Sequence, residues 1–247
     1  TPKQKQKGMI DHMGNDQLKR IGSALLFGYL GVAKSVWADS MMMYVMPSIL
    51  VGHYRPEIRV VPDRRFVAEG INVQSSYSLK DFGLFQLERM IDALSTEDHL
   101  FKHTLDYVSG KKRPYTTHGY WLRSNGWALS TMAMSLEFLD PGSRIDLKVR
   151  QKLKDALDMM ISLKNEETQI WKTVLMADKS YRNLSCYDEN EYETSGSALV
   201  GLALAKAIRY GVLGKEYRVH LRGVYEGLNQ FLGKSKNGNV QMNMISG

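Results

Sequence analysis

The chain has 247 residues, of which 43% are hydrophobic and 24% charged, a composition that is ordinary for a globular protein. No run of about 18 apolar residues is present, so the sequence predicts no membrane-spanning helix. The net charge of +7 suits nucleic acid, an anionic membrane or an acidic small ligand, but the basic residues are scattered and accompany no nucleic-acid motif. We therefore expect an acidic carbohydrate to be at least as compatible a partner as nucleic acid, and no membrane partner.

Cysteine and histidine usage limits the chemistry further. The single cysteine, Cys186, excludes an internal disulfide framework and favours a reducing compartment. Residues 1–7 are polar and basic with no apolar stretch behind them, unlike a secretory signal, although a signal removed by processing would leave no trace. These features predict a cytoplasmic location. The six histidines lack metal-ligand spacing, and no G-x-S-x-G motif is present, so we expect neither a metal nor a cofactor.

Apolar residues recur with a helical period along most of the chain. The segments with this pattern, in chain order, are 18–29, 37–51, 84–94, 129–139, 153–161, 195–210 and 217–232. The segment 37–51 is apolar nearly all round, which predicts a helix buried on most sides. The best strand candidate is the short run 58–61. We predict an all-α chain of seven or eight helices that forms one domain over residues 1–247.

Turn residues separate these helices. Asp140-Pro141-Gly142 and residues 236–239 are typical turn sequences, and Gly211 is a plausible C-terminal cap for the helix 195–210. Periodicity alone does not choose among a bundle, a superhelix and a closed toroid. Clusters of polar and aromatic residues fall at helix ends, where loops of a helical scaffold commonly form binding clefts.

The first such cluster surrounds Asp39. Trp37 precedes this residue, and the methionines 41–43 follow it. A carboxyl group in such surroundings should lose hydration, which favours its neutral, proton-donating form. The alternative interpretation is that Asp39 caps a helix that begins at Ser40.

The second cluster, residues 117–127, places Trp121 and Trp127 on either side of Arg123. Indole rings stack on sugar faces, and a guanidinium group binds a carboxylate with two parallel hydrogen bonds, so the cluster suits a sugar acid. The alternative is that both tryptophans belong to the core and Arg123 to the surface.

Two further groups have structural interpretations beside functional ones. Glu193, followed by Thr194 and Ser195, is best interpreted as the cap of the next helix. His103 and Asp106 have the spacing at which two side chains orient each other across one turn, although a lone histidine is more often a structural residue.

Four motifs, taken in this order, resemble a known family. They are W-A-D-S-M-M-M-Y-V-M-P at 37–47, L-F-K-H-T-L-D at 100–106, W-L-R-S-N-G-W at 121–127 and Y-E-T-S-G-S-A-L-V-G-L-A-L-A-K-A-I-R-Y-G-V-L at 192–213. Over most of residues 35–215 the chain resembles the unsaturated glucuronyl and rhamnogalacturonyl hydrolases, glycoside hydrolase families 88 and 105.

The resemblance implies an (α/α)6 barrel of the six-hairpin glycosidase type, with a cleft at one end. It also implies the removal of a 4,5-unsaturated uronic acid from the non-reducing end of lyase-generated oligosaccharides, here of the pectin or rhamnogalacturonan type. In the family one aspartic acid protonates C4 of the vinyl ether, then activates the water that adds at C5, and the resulting hemiketal breaks down spontaneously. This scheme differs from that of glycosidases with two carboxylates.

The resemblance also implies roles for individual residues. Asp39 corresponds to the catalytic acid, and Asp16, in a loosely matching motif, is the candidate for the assisting aspartate. The candidate substrate-binding residues are Trp37, His103, Arg123 and Trp127.

The chain departs from the family pattern in length. Family members are considerably longer, and only residues 31–34 stand where the family has a helix and a loop. If the chain lacks this helix and loop, the barrel is incomplete. The second hypothesis, beside the active hydrolase, is therefore a degenerate, non-catalytic sugar-binding relative. A scaffold of repeated helix pairs is a third, but no repeat of fixed period supports it. The sequence does not indicate an oligomeric state.

Overall fold

The computed structural model describes residues 35–61, 74–108, 111–113, 120–175 and 191–244. The helices of this part are a π-helix at Met41–Val45, α1 at Met46–Tyr54, α2 at Leu79–Leu94, α3 at Leu122–Ser135, α4 at Arg144–Leu163, α5 at Thr194–Arg209, a 3-10 turn at Lys215–Tyr217, and α6 at Arg218–Asn229. Every predicted helix except 18–29, which lies outside the described residues, overlaps one of these helices, but the predicted bounds differ at the start of 37–51 and at the end of 129–139.

Short strands connect the helices. Their bounds are β1 Ser35–Trp37, β2 Arg59–Val60, β3 Tyr77–Ser78, β4 Thr104–Val108, β5 Lys111–Arg113, β6 Tyr120–Trp121, β7 Val174–Leu175, β8 Leu232–Lys234 and β9 Val240–Met242. All pairings are antiparallel: β1-β4-β5 form one sheet, and β2-β3, β6-β7 and β8-β9 form separate pairs. The strand predicted at 58–61 is confirmed as β2, but the sequence did not predict the others.

Local sequence explains where several helices begin and end. Ser78 and Ser143 have extended backbones, and their hydroxyl groups accept hydrogen bonds from the backbone amides three residues later, so they cap α2 and α4. Gly142 and Gly211 have φ angles of 77° and 68°, a backbone conformation that residues with a Cβ rarely adopt. The predicted turn at 140–142 and the predicted cap of α5 are therefore confirmed.

The prediction for residues 37–51 was wrong at its start. Trp37 is the last residue of β1, and the helical backbone begins at Asp39. Because β1 pairs with β4, Trp37 is held in an extended conformation and its side chain is 39% exposed. Met43 is also exposed, at 55%, so this segment is less buried than its composition suggested.

The helices share one hydrophobic core, and the interface of α3 with α5 is the most extensive helix interface in the described part. A Cβ at Gly126 would lie 2.8 Å from Leu199 Cβ, and a Cβ at Gly196 would lie 2.7 Å from Leu122 Cγ. These two glycines therefore permit the close approach of α3 and α5. The buried Ser130 hydroxyl donates a hydrogen bond of 2.8 Å to the backbone oxygen of Leu199.

Backbone hydrogen bonds connect several loops to the ends of helices on one side of the helical assembly. The amide of Lys102 donates to Leu94 at the end of α2, and the amide of Ala38 donates to His103 at the start of the π-helix. The amide of Leu122, at the start of α3, donates to Thr173. This end of the fold carries the polar and aromatic clusters that the sequence singled out.

Candidate functional site

Two residues that are 64 positions apart form the centre of the site. In the ladder of β1 with β4, Trp37 lies opposite Thr104, which places Asp39 beside His103. His103 Nε2 lies 3.0 Å from Asp39 Oδ1, a hydrogen-bond distance. The side chains are 33% exposed for Asp39 and 20% for His103. The carboxyl group is therefore only partly dehydrated, which is less than the sequence led us to expect.

The sequence also offered a capping role for Asp39 and Asp106 as a partner of His103. The N-cap position of the π-helix is occupied by Ser40, which makes no side-chain capping bond, and Asp39 is instead hydrogen-bonded to His103. The capping interpretation of Asp39 was therefore wrong. The side chain of Asp106, the other suggested partner of His103, lies outside the described residues.

Indole rings enclose His103 on two sides. The ring centroids of His103 and Trp37 are 5.0 Å apart, and those of His103 and Trp121 are 4.6 Å apart, both in edge-to-face arrangements. Trp121 in turn contacts Trp127 edge-to-face, with 5.4 Å between the centroids. Such aromatic contacts favour one orientation of each ring. The His103 imidazole is therefore held in a defined position beside Asp39.

Arg123 lies over this row of rings. Its Cζ atom is 4.7 Å from the ring centroid of Trp121 and 5.8 Å from that of Trp127, within the range of cation–π contacts. Arg123 and Trp127 are four residues apart on α3 and so share a face. All three side chains are half-buried, so neither tryptophan is a core residue and Arg123 is not a simple surface residue. The fully buried indole is that of Trp171.

The structure thus brings together five of the six predicted site residues. Trp37, Asp39 and His103 form one end of the group, and Arg123 and Trp127 the other, with Trp121 between them. The sixth, Asp16, lies outside the described residues. Trp121 was part of the predicted cluster, but its position between His103 and Arg123 was not foreseen.

Sequence reasoning missed one buried residue at this site. Asn125 has no exposed surface, and its side-chain oxygen accepts a hydrogen bond of 2.8 Å from the amide of Phe101. Its side-chain nitrogen donates to the backbone oxygens of Phe101 and Trp121, at 3.1 Å each. Its place within W-L-R-S-N-G-W was the only signal in the sequence. Asn125 joins the segment before His103 to the start of α3.

Glu193 has the capping role that the sequence predicted. Its carboxylate oxygens accept hydrogen bonds from the amide of Gly196, at 2.5 Å, and from the hydroxyl of Ser195. The side chain has no exposed surface and lies at the first turn of α5. A carboxylate at this position is stabilised by the helix dipole as well as by these bonds.

The described ranges contain neither a metal-binding cluster nor a membrane-spanning helix. No group of three or more histidine, cysteine, aspartate or glutamate side chains there is arranged to hold a metal ion. Among the same residues, none of the helices has the length and apolar character needed to cross a bilayer.

The chain matches the family Glycosyl Hydrolase Family 88 over residues 19–247. It is 25% identical over 172 residues to the unsaturated rhamnogalacturonyl hydrolase YesR of Bacillus subtilis (strain 168), covering 67% of this chain and 43% of that protein. The chain thus spans about half the length, or less, of the relatives it matches.

Solved structures share the fold. A glycoside hydrolase of family 105 from C. acetobutylicum has a TM-score of 0.62 and 21% identity, with 85% of this chain and 53% of that chain covered. A possible family 105 member from Klebsiella pneumoniae has a TM-score of 0.65 and 19% identity, with 86% and 47% covered. The predicted fold class is confirmed: the helices follow the (α/α)6 glycosidase fold over the part that the chain spans.

The family match covers most of the chain, and the helical fold agrees with it. The chain belongs to Glycosyl Hydrolase Family 88.

Proposed function

We propose that this protein is a glycoside hydrolase that removes a 4,5-unsaturated uronic acid from the non-reducing end of an oligosaccharide. The observation that carries the proposal is the Asp39–His103 pair, at 3.0 Å, next to Arg123 and the two indole rings that it contacts, Trp121 and Trp127. A proton-transferring carboxyl group beside a cation and aromatic rings is the arrangement that a sugar acid requires. The rhamnogalacturonyl name of the Bacillus subtilis relative supports a substrate derived from pectin.

Asp39 is the residue to which we assign proton transfer. In the tautomer with a proton on His103 Nε2, this nitrogen donates a hydrogen bond to Oδ1, which leaves Oδ2 to carry the catalytic proton. The Oδ2 proton passes to C4 of the C4=C5 double bond, and the positive charge that develops at C5 is shared with the ring oxygen. Asp39, now a carboxylate, removes a proton from the water that attacks C5. One group thus serves first as acid and then as base.

The product of this hydration is a hemiketal at C5. Its ring opens when the bond between C5 and the ring oxygen breaks, which gives a ketone at C5 and a hemiacetal at C1. The hemiacetal then releases the alcohol of the next sugar and becomes an aldehyde. One water molecule is consumed and the glycosidic linkage is cleaved, with no displacement at the anomeric carbon.

Arg123 and Trp127 bind the uronate. A guanidinium group binds a carboxylate with two parallel hydrogen bonds, and its stacking on Trp121 limits the orientations that it can adopt. The Trp127 ring, 5.8 Å from the same guanidinium carbon, offers an apolar face for the sugar. Trp37 borders the Asp39–His103 pair from the other side.

The test is turnover of an unsaturated uronyl disaccharide in D2O, followed by loss of the ultraviolet absorbance of the double bond and by mass spectrometry of the product quenched early. We expect the absorbance to disappear and one deuterium to be bound at C4. Product incubated in D2O without enzyme corrects for exchange. Cleavage without deuterium at C4 would refute the hydration mechanism, and absence of turnover would favour the non-catalytic sugar-binding relative.

A further inference from the structure

The segment that carries His103 has two side-chain attachments to β6 and α3, which are consecutive in the chain. This segment, residues 95–103 and here called the His103 loop, closes on itself through hydrogen bonds from Thr96 to Leu100 and from Lys102 to Leu94. Asn125 of α3 binds both backbone groups of Phe101, two residues before His103. We infer that Asn125 is a positioning residue that fixes His103, and through it Asp39, relative to Arg123 and Trp127.

The hydrogen bonds of Asn125 are those that a carboxamide alone supplies in this place. One oxygen accepts from the Phe101 amide, and the two hydrogens of the nitrogen reach the oxygens of Phe101 and Trp121. The side chain is fully buried, so water cannot readily replace a lost hydrogen bond, and the unpaired group would destabilise the loop. The carboxamide therefore links the loop to the residue, Trp121, whose ring contacts His103.

Tyr120 attaches the other part of the same loop. Its hydroxyl lies 2.5 Å from Asp98 Oδ2 and 3.1 Å from Thr96 Oγ1. Burial and the bond to Asp98 both raise the pKa of the Tyr120 hydroxyl, so it remains a hydrogen-bond donor at neutral pH. Tyr120 immediately precedes Trp121, and Asn125 binds the Trp121 oxygen. Both attachments therefore connect the His103 loop to the junction of β6 with α3.

The arrangement has a kinetic consequence, which rests on the proposed function. Arg123 and Trp127 are fixed by α3 itself, whereas the position of His103 depends on the loop as well as on the pairing of β1 with β4. Loosening the loop should therefore misplace the Asp39–His103 pair while leaving the uronate-binding residues in place. We expect kcat to fall and KM to change little, since a misplacement of about 1 Å can cost roughly 100-fold in rate.

The first variant is Asn125→Asp, which has nearly the same shape. An ionised carboxylate would face the oxygens of Phe101 and Trp121 without a proton, whereas a protonated carboxyl restores one of the two hydrogen bonds that the amide donates. At neutral pH we expect kcat to fall about tenfold or more, with KM within about threefold of the wild-type value. As the pH is lowered, the ratio of variant kcat to wild-type kcat should rise, because a larger fraction of the introduced carboxyl is protonated and can donate a hydrogen bond.

Two more variants keep the test decisive. Tyr120→Phe keeps the ring of a half-buried side chain and loses only the hydroxyl, so it serves even where Asn125→Asp fails to fold. We expect a smaller fall in kcat in the same direction. Ser130→Ala is the matched control, because it removes the hydrogen bond of a buried side chain on the same helix without touching the loop. It should lower the urea midpoint and leave kcat unchanged.

A spectroscopic measurement separates this inference from the proposed function. The His103 ring lies between Trp37 and Trp121, so its carbon-bound protons should have ring-current-shifted resonances, assigned with His103→Gln in histidine-labelled protein. The shift should diminish in Asn125→Asp and Tyr120→Phe but not in Ser130→Ala. If it persists in both loop variants, or if their kcat values equal that of Ser130→Ala, the inference is wrong. If the wild-type protein turns over no substrate, the proposed function fails. The ring-current shift of the His103 protons in the loop variants then tests by itself whether Asn125 positions His103.

Discussion

Replacing Arg123 with lysine tests whether the stacked guanidinium group recognises the uronate. The substitution retains the positive charge but loses the planar group that lies 4.7 Å from the Trp121 ring centroid and 5.8 Å from that of Trp127. Lysine can make one charged contact with a carboxylate, whereas arginine makes two in a fixed geometry. The change therefore removes recognition geometry without removing charge.

The expected loss follows from these contacts. A hydrogen bond to a charged group contributes about 1.5–3 kcal/mol, and a cation–π contact at a half-exposed site about 0.5–1 kcal/mol. Because the site is partly open to solvent, we take the lower part of the sum, about 2–3 kcal/mol, which corresponds to roughly a 30- to 150-fold loss in kcat/KM. The carboxylate is present in both ground state and transition state, so most of the loss should appear in KM.

Initial rates over a range of disaccharide concentrations provide the assay, with substrate binding followed independently by tryptophan fluorescence. The matched control is Arg144→Lys, since Arg144 has an 80% exposed side chain at the start of α4 and pairs with Glu88. Its KM should equal that of the wild type. A KM for Arg123→Lys within twofold of the wild type would refute the assignment of the uronate to Arg123.

Two further predictions concern stability. Trp171→Phe should lower the free energy of unfolding by about 2–4 kcal/mol. The buried Trp171 Nε1 donates a 2.6 Å hydrogen bond to the Met160 oxygen in the last turn of α4, and the smaller ring would lose this bond and leave a cavity. A loss below about 0.5 kcal/mol in urea unfolding would contradict this packing role. Burial and the Lys164 charge lower the pKa of His220 below its usual value of 6.5. Below pH 6.5 the unfolded state therefore binds more protons than the folded state. The free energy of unfolding should decrease as the pH falls from 6.5 through the folded-state pKa. His220→Gln should therefore reduce the loss of unfolding free energy between pH 7 and pH 5, and an equal or larger loss in the variant would exclude this effect.

The helices were predictable because their signal is local. The spacing of apolar residues by three or four positions in α4, the cap at Ser143 and the glycine at position 211 each act within a few residues of chain. The strands were not predictable in the same way. β1 and β4 are short and separated by more than 60 residues, and their pairing depends on the fold that brings them together. This pairing is the reason that Trp37 lies in a strand.

The candidate site shows the same division. Its residue types could be recognised from the motifs, but the contact of His103 with Asp39 joins positions 64 residues apart and has no local signal. The nearby Asp106 was the partner that spacing alone suggested. Asn125 was missed for a related reason, since its function depends on the backbone of Phe101, 24 residues earlier in the chain. Glu193 was predicted correctly because capping is a local interaction.

The most direct test of the proposed mechanism is the turnover of Asp39→Asn compared with its substrate binding. The carboxamide can still accept the hydrogen bond from His103 but has no proton to give to C4. We expect kcat to fall roughly 10²- to 10⁴-fold while binding, followed by the fluorescence of the site tryptophans, is retained. The exposed Asp140→Asn, in the turn before α4, is the control and should keep full activity. Wild-type turnover in Asp39→Asn would contradict the role of this carboxyl group.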